Sequence, residues 1–278
     1  MHNIFFFTDI HGNKPLFDAV MDYCYQGDSE PTIIFGGDAC DRGQDGYQIM
    51  KELLDNPSVI YLKGNHEEMF CKAAREMRIK FTLPKDDREK IQNALHSSLI
   101  FDYKYLDIPL ALTNGGEPTL IDWALDGMPT QIIQQLEKLH YTCNYEQYDF
   151  CHAGGTYPTF ERVANCEYRG IEPDKMDIDA ILWDRYSFNH GWASGRTVIH
   201  GHTPVPELKK IKKIKFMKNC PFKYEGFYNE KYTGAKIDMD TGVAFTNKIF
   251  VLNILTMKAT GFELIKNDRV KQVETISL

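Results

Sequence analysis

The sequence has no apolar stretch approaching the ~20 residues that a membrane-spanning helix requires, and Ile4-Phe5-Phe6-Phe7 is interrupted at Asp9, far short of a signal-peptide core. A cytoplasmic location is the expectation. There is no Cys-x-x-Cys pair either: Cys24, Cys40, Cys71, Cys143, Cys151, Cys166 and Cys220 are odd in number and scattered, which argues against a zinc ribbon and a full disulfide framework. Reduced thiols are expected, and Cys40 and Cys151 read as small buried residues at strand ends. Positive charge is not in excess. With 32 Lys and Arg against 39 Asp and Glu the formal net charge is −7, so no nucleic-acid or membrane partner is expected. A phosphate-bearing substrate has to be drawn by a local cationic patch against the overall field. Internal repeats, low-complexity linkers and breaks in composition are also missing, which makes one domain over residues 1–278 the expectation.

What is present is enough apolar sequence, 43% of 278 residues, for a large core. The first part alternates: Ile4–Phe7 reads as a strand, Pro15–Tyr25 as a helix, Thr32–Phe35 as a strand, Gly46–Leu54 as a helix stopped by Asn56-Pro57, and Val59–Leu62 as a strand. This βαβαβ order predicts a parallel sheet covered by helices. From Glu68 to Leu106 the pattern is helical and charged, broken at Leu83-Pro84-Lys85, and reads as an excursion over the core, where a lid or cap is expected. Pro129–Leu139 is a further helix. Beyond it Tyr148–Cys151, Ile181–Trp183, Thr197–His200, Ala235–Met239, Ile249–Leu255 and Phe262–Ile265 read as short strands, so mixed and antiparallel sheet is expected there.

Those strands share an ending. IFFF runs into TDIHG (Asp9, His11), TIIF into GGDACDRG (Asp38, Asp41, Arg42) and VIYL into GNHEE (Asn65, His66). YDFC runs into HAGG (His152), AIL into WDR (Asp184, Arg185) and TVIHG into HTP (His202). Any one of these is an ordinary turn or capping motif. Together they deliver carboxylates, imidazoles, an amide and two arginines to strand ends, the edge at which ligands bind in α/β sheets. Asp, His and Asn without cysteine suit divalent manganese, iron or zinc with water in open positions. Six protein ligands exceed what one catalytic ion can take. They suit two ions sharing a carboxylate, about 3.5–4 Å apart, which clamp an in-line phosphoryl displacement. Arg42 and Arg185 supply guanidinium forks for the remaining phosphate oxygens.

In this order TDIHG, GDACDRG, GNHE, HAG, WDR and HGHTP resemble the metal-dependent phosphoprotein phosphatases, specifically their bacterial and bacteriophage lambda-type branch within the calcineurin-like metallophosphoesterases. The resemblance implies an α/β (α+β) fold, a central β-sandwich of mixed sheets flanked by helices, with a dinuclear site at strand ends. It implies Asp9, His11 and Asp38 on one metal, and the bridging Asp38 with Asn65, His152 and His202 on the other, manganese being the first choice. It also implies attack on phosphorus by a metal-bridging hydroxide without a phosphoenzyme, with phosphorylated serine or threonine of proteins, or another small phosphoester, as substrate. His66 is then the general acid for the leaving alkoxide, and Asp41 holds its other ring nitrogen. Glu67 supports the loop, and Arg42 and Arg185 bind phosphate. Thr8 stands where the family usually has Gly, and His200 suits a supporting role better than ligation.

Symmetrical diadenosine tetraphosphate hydrolases resemble the same motif set and are the alternative. A phosphoprotein-binding protein without turnover is a further one. Specificity is expected outside the motifs, in Glu68–Leu106, Tyr186–Ser194 and the lysine run Lys209–Lys218, the last of which reads as a solvated amphipathic segment.

Overall fold

The computed structural model describes residues 2–27, 30–83, 86–97, 106–187, 190–207, 220–225 and 231–278. The predicted alternation is found. β1 (Ile4–Phe7), β2 (Thr32–Phe35) and β3 (Val59–Tyr61) pair in parallel, joined by α1 (Lys14–Tyr25) and α2 (Gly46–Asp55). Asn13 starts α1 by accepting the Leu16 N–H, and Pro15 occupies the first turn, where no N–H is needed.

The C-terminal strands complete this sheet. β9 (Lys248–Asn253), β10 (Lys258–Leu264) and β11 (Val270–Ser277) add antiparallel to β1, giving the order β11-β10-β9-β1-β2-β3. The second sheet has the order β4-β5-β6-β8-β7, from β4 (Thr142–Tyr145), β5 (Tyr148–Cys151), β6 (Thr197–His200), β7 (Phe222–Glu225) and β8 (Ala235–Asp238). Its three central strands are parallel and its outer ones antiparallel, so both sheets are mixed.

Period-two geometry explains why β1 is apolar at every position. Phe5 and Phe7 pack beneath the helices, whereas Ile4 and Phe6 face the second sheet, where Phe6 stacks on Phe150 at 5.5 Å with Ile199, Ile237 and Leu252 around it. After α7 (Thr130–Glu137), the helix expected at Pro129–Leu139, the outer face of the second sheet is covered by α8 (Tyr157–Tyr168) and α9 (Lys175–Trp183) through Phe160, Val163, Ile181 and Leu182.

Two expectations are corrected. Ile181–Trp183 is the last turn of α9, not a strand; three consecutive apolar residues fit either geometry, and the Asp174 side chain capping Met176 N–H sets the helical one. The helix after β3 starts at Asn65, not after Glu68: α3 spans Asn65–Lys80, so GNHEE is a helix start. The described parts of the excursion that follows are packed on the core. Phe70, Ala73, Ala74 and Met77 of α3 join the main core, Phe70 meets Trp123 edge-on at 5.8 Å, and α4 (Arg88–Ser97) buries Ile91 and Leu95 beside them. Pro84 and Lys85, residues 98–105 and the Lys209–Lys218 run lie outside the described residues. Among the described residues no helix is long and apolar enough to cross a membrane, and all seven cysteines are free.

Candidate functional site

Asp38 is the centre of the arrangement. It follows β2 in left-handed backbone, is 2% exposed, and has three imidazole nitrogens around its carboxylate: His152 Nε2 at 3.4 Å, and His11 Nε2 and His66 Nε2 each at 3.8 Å. Its Oδ1 also accepts the His66 N–H at 3.1 Å, so the carboxylate sits on the N-terminus of α3, where unpaired amides favour negative charge. Burial opposes its ionisation, but His152, His66 and His11 together hold the carboxyl well below its ordinary range. Ligand atoms of His11, Asp38 and His66 lie within 4.8 Å of one another, and so do those of Asp38, His152 and His202. One carboxylate is common to both groups.

The loop carrying Asp38 is held by Glu67. Its Oε2 accepts the N–H groups of Asp38 at 2.9 Å and Gly64 at 2.8 Å, and its Oε1 accepts the Ala39 N–H at 2.7 Å and the Tyr61 hydroxyl at 2.8 Å. Close approach explains two of the motif glycines: a Cβ at Gly64 would fall 2.2 Å from Asp38 Oδ1, and one at Gly201 would fall 2.1 Å from Asp9 Oδ2.

The histidine rings are oriented from behind. His11 Nδ1 donates to the Cys40 carbonyl at 3.0 Å, which leaves an Nε2 lone pair facing inward; Arg42, whose side chain lines the open face, donates to it from Nη1 at 2.8 Å. Burial, with His66 and Arg42 nearby, pushes His11 well below the usual histidine range. His152 Nδ1 donates to the Gly36 carbonyl at 2.8 Å, while its Nε2 meets Asn65 Oδ1 at 2.8 Å. Burial opposes a charge on His152, yet Asp38 and Asp9 outweigh it and push the imidazolium up to about 10. His202 Nδ1 meets the same Asn65 oxygen at 2.9 Å, and its buried Nε2 has no hydrogen-bond partner. Burial, His152 and Arg185 push His202 well below the usual range.

Around these lie the other candidates. His66 Nδ1 pairs with Asp41 Oδ2 at 2.7 Å, and its Nε2 meets Arg42 Nη2 at 3.2 Å. Burial works against the His66 charge, and Asp38 and Asp41 overcome it, so its pKa is raised. Asp9 stands outside both close groups; its oxygens accept the Thr8 hydroxyl at 2.6 Å and the His202 N–H at 3.1 Å and 3.2 Å. Thr8 thus orients a carboxylate, and it does so without left-handed backbone. Arg185 follows α9, not a strand, and its Nη1 pairs with Glu207 at 3.1 Å. His200 is occupied by the Gly201 carbonyl and the Tyr224 hydroxyl, and burial with Lys236 pushes it down to about 3.

The sequence profile of the calcineurin-like phosphoesterases matches residues 2–220. This chain belongs to that family. A search of curated proteins finds no match. Among solved structures, a candidate diadenosine tetraphosphatase is 15% identical, with 98% of this chain and 93% of that one covered at a TM-score of 0.49. The cold-active protein-tyrosine phosphatase of a psychrophilic Shewanella is 14% identical over 99% and 81% at 0.49. A protein serine/threonine phosphatase of Saccharomyces cerevisiae is 14% identical over 100% and 80% at 0.43. None of these likenesses assigns a substrate.

Calcineurin-like phosphoesterases use divalent metals, and the residues of this member fit such ions. The buried carboxylates hold a proton on His152, so their field favours positive charge, and His11 Nε2 and His202 Nε2 offer buried nitrogen donors. Several partners were not foreseen from sequence. Thr119, on α6 (Glu117–Leu125), accepts the Asp41 N–H at 3.1 Å, Tyr61 anchors Glu67, and Asp238 and Asp240 are buried carboxyls whose pKa values rise through burial and mutual or Asp9 repulsion. Of these only Asp240 lies in a stretch that sequence could show, since Asp240-Thr241-Gly242 resembles the family's closing strands; the others carry no local motif.

Proposed function

We propose that this phosphoesterase is a two-metal phosphomonoesterase acting on phosphoserine and phosphothreonine in proteins. The observation that carries the reading is Asp38, whose single carboxylate belongs to both close ligand groups. Asp9, although outside the close groups, would join His11 and Asp38 on one ion and leave His66 off the metals, and Asp38, Asn65, His152 and His202 would hold the other. Bound there, divalent ions would supply an activated water and neutralise phosphoryl charge.

The chain's own residues supply the rest. His11 Nε2 has one lone pair, which a metal and the Arg42 guanidinium cannot share, so ligation by His11 frees Arg42 Nη1 for a phosphate oxygen. Arg185 offers a second fork once its Glu207 pair is exchanged for phosphate. His66 has its Nδ1 fixed by Asp41 and its Nε2 turned toward the arginine fork and Asp38, so it is placed to give a proton to a leaving alkoxide. Seven free thiols support a reducing, cytoplasmic setting.

The test is metal analysis together with a panel of phosphopeptides, phosphotyrosine, nucleoside polyphosphates and p-nitrophenyl phosphate, assayed with manganese. Two ions per active chain and the highest kcat/KM on phosphoserine or phosphothreonine peptides are expected. Preference for diadenosine tetraphosphate would reverse the substrate ranking. Two bound ions without turnover of any phosphoester would make the protein a binding module.

A further inference from the structure

Lys236 lies in the middle of β8, is 1% exposed, and belongs to no motif. Its Nζ donates to the carbonyl of Gly155 at 2.8 Å and to that of Ser187 at 2.9 Å, and it stands over the Trp192 ring at 5.6 Å. A buried ammonium is costly unless its donors are paired, so its location has to be answered by what it binds.

The two carbonyls come from separate segments. Gly155 ends the His152-Ala153-Gly154-Gly155 run, which is also pinned to α9 by the Ala153 N–H on the Ile181 carbonyl at 2.8 Å. Ser187 ends the turn Asp184-Arg185-Tyr186-Ser187. The Asp184 carboxylate closes that turn from within by accepting the N–H groups of Tyr186 at 3.2 Å and Ser187 at 3.0 Å. Arg185 therefore sits in a turn fixed by Asp184 on one side and Lys236 on the other. The same ammonium holds the segment that begins at His152.

We propose that Lys236 is a positioning residue that sets the Arg185 turn against the His152 segment and thereby fixes the distance between the second phosphate-binding guanidinium and the metal centre. It touches neither phosphate nor metal, and it acts through two main-chain carbonyls. This rests on the phosphoesterase reading above.

The test reads phosphate binding in the manganese-loaded protein by titration calorimetry, which needs no turnover, alongside kcat/KM on p-nitrophenyl phosphate. Lys236→Met should weaken inorganic phosphate about tenfold and lower kcat/KM by about 10- to 100-fold at unchanged metal content, as expected for a displaced substrate clamp. In an Arg185→Ala background the same change should weaken phosphate no further, because residues that act through one another are not additive. Lys236→Gln, which keeps a shorter, neutral donor group, should fall between. A folded Lys236→Met protein with phosphate affinity unchanged, or with a loss that adds fully to that of Arg185→Ala, overturns the assignment.

If neither substitution at 236 folds, Asp184→Ala loosens the same turn from its partly exposed side. It should show the phosphate loss in the wild-type background and not in Arg185→Ala, and unchanged affinity overturns the proposal. A wild-type protein that binds phosphate but hydrolyses no phosphoester would sink the functional reading alone. Wild-type turnover with indifferent variants would sink this one alone.

Discussion

Residues at this centre hold backbone that L-amino acids rarely adopt: φ is 55° at Asp9, 46° at His11, 61° at Asp38, 70° at Asp41, 67° at Arg42 and 70° at His202. Such conformations cost about 1–3 kcal/mol each and persist only where surrounding contacts impose them. Glu67 is one of those contacts. Glu67→Ala would leave three buried amides and the Tyr61 hydroxyl without their acceptor, and a loss of about 3–5 kcal/mol is expected, with metal content falling too. Denaturant unfolding measures it, and wild-type stability would show that the loop holds itself. Asp38→Asn removes the charge shared by both ligand groups. Turnover should drop by several orders of magnitude and metal content should fall; a fully active chain with one tight ion would contradict the shared-carboxylate reading. His66→Asn separates acid from ligand, because p-nitrophenolate leaves almost unaided and a serine alkoxide does not. The substitution should cost phosphopeptide turnover about 10²–10⁴-fold and the aryl ester much less, with metal retained. Equal losses on both substrates, or loss of metal, would remove the acid role.

At the scale of elements, α3 does two jobs. Its first turn presents Asn65 and His66 and seats the Asp38 carboxylate, and its later turns anchor the neighbouring helices. Glu76 Oε2 accepts the N–H groups of Asp107 at 2.9 Å and Ile108 at 3.2 Å, and so caps α5 (Asp107–Thr113) from another helix. Glu76→Ala should cost about 1–2 kcal/mol and speed hydrogen exchange at those two amides, while kcat stays near wild type. A kcat that falls in step with stability would show that α5 is part of the catalytic scaffold. α6 reaches the site more directly, since Thr119 accepts the Asp41 N–H.

For the whole molecule, the site joins two sheets. Asp9, His11, Asp38 and Asn65 leave the first sheet, His152 and His202 leave the second, and Phe6, Ile34, Phe150, Ile199 and Ile237 fill the space between. Ions held from both sides would bind the native state and not the unfolded chain. Chelation should therefore abolish turnover and lower the Tm, with about 2.7 kcal/mol at stake for a site occupied at one hundred times its Kd. Manganese should restore both, and an unchanged Tm would show that no ion stabilises the native state. Because the sheets share that core, one cooperative transition is expected, with calorimetric and van't Hoff enthalpies equal. Two resolved transitions would divide the chain into separate domains.

The sequence by itself determined the βαβαβ start, the mixed sheets, and the aspartates, histidines and amide that meet around Asp38. Those features are local: alternating apolar periodicity sets strands and helices, and a strand delivers its next residues to one edge of the sheet. Family membership was legible for the same reason, since motif order survives in the linear chain. Only the tertiary structure decided that Ile181–Trp183 is helical, that Asn65 opens a helix, and that Arg185 is paired with Glu207. It alone brought Thr119, Lys236, Asp238 and Asp240 to the centre or its supports. A buried polar residue far along the chain looks in sequence like any other. Its role is set by the unpaired donor or acceptor that folding places against it, and that pairing does not exist until both sheets are packed.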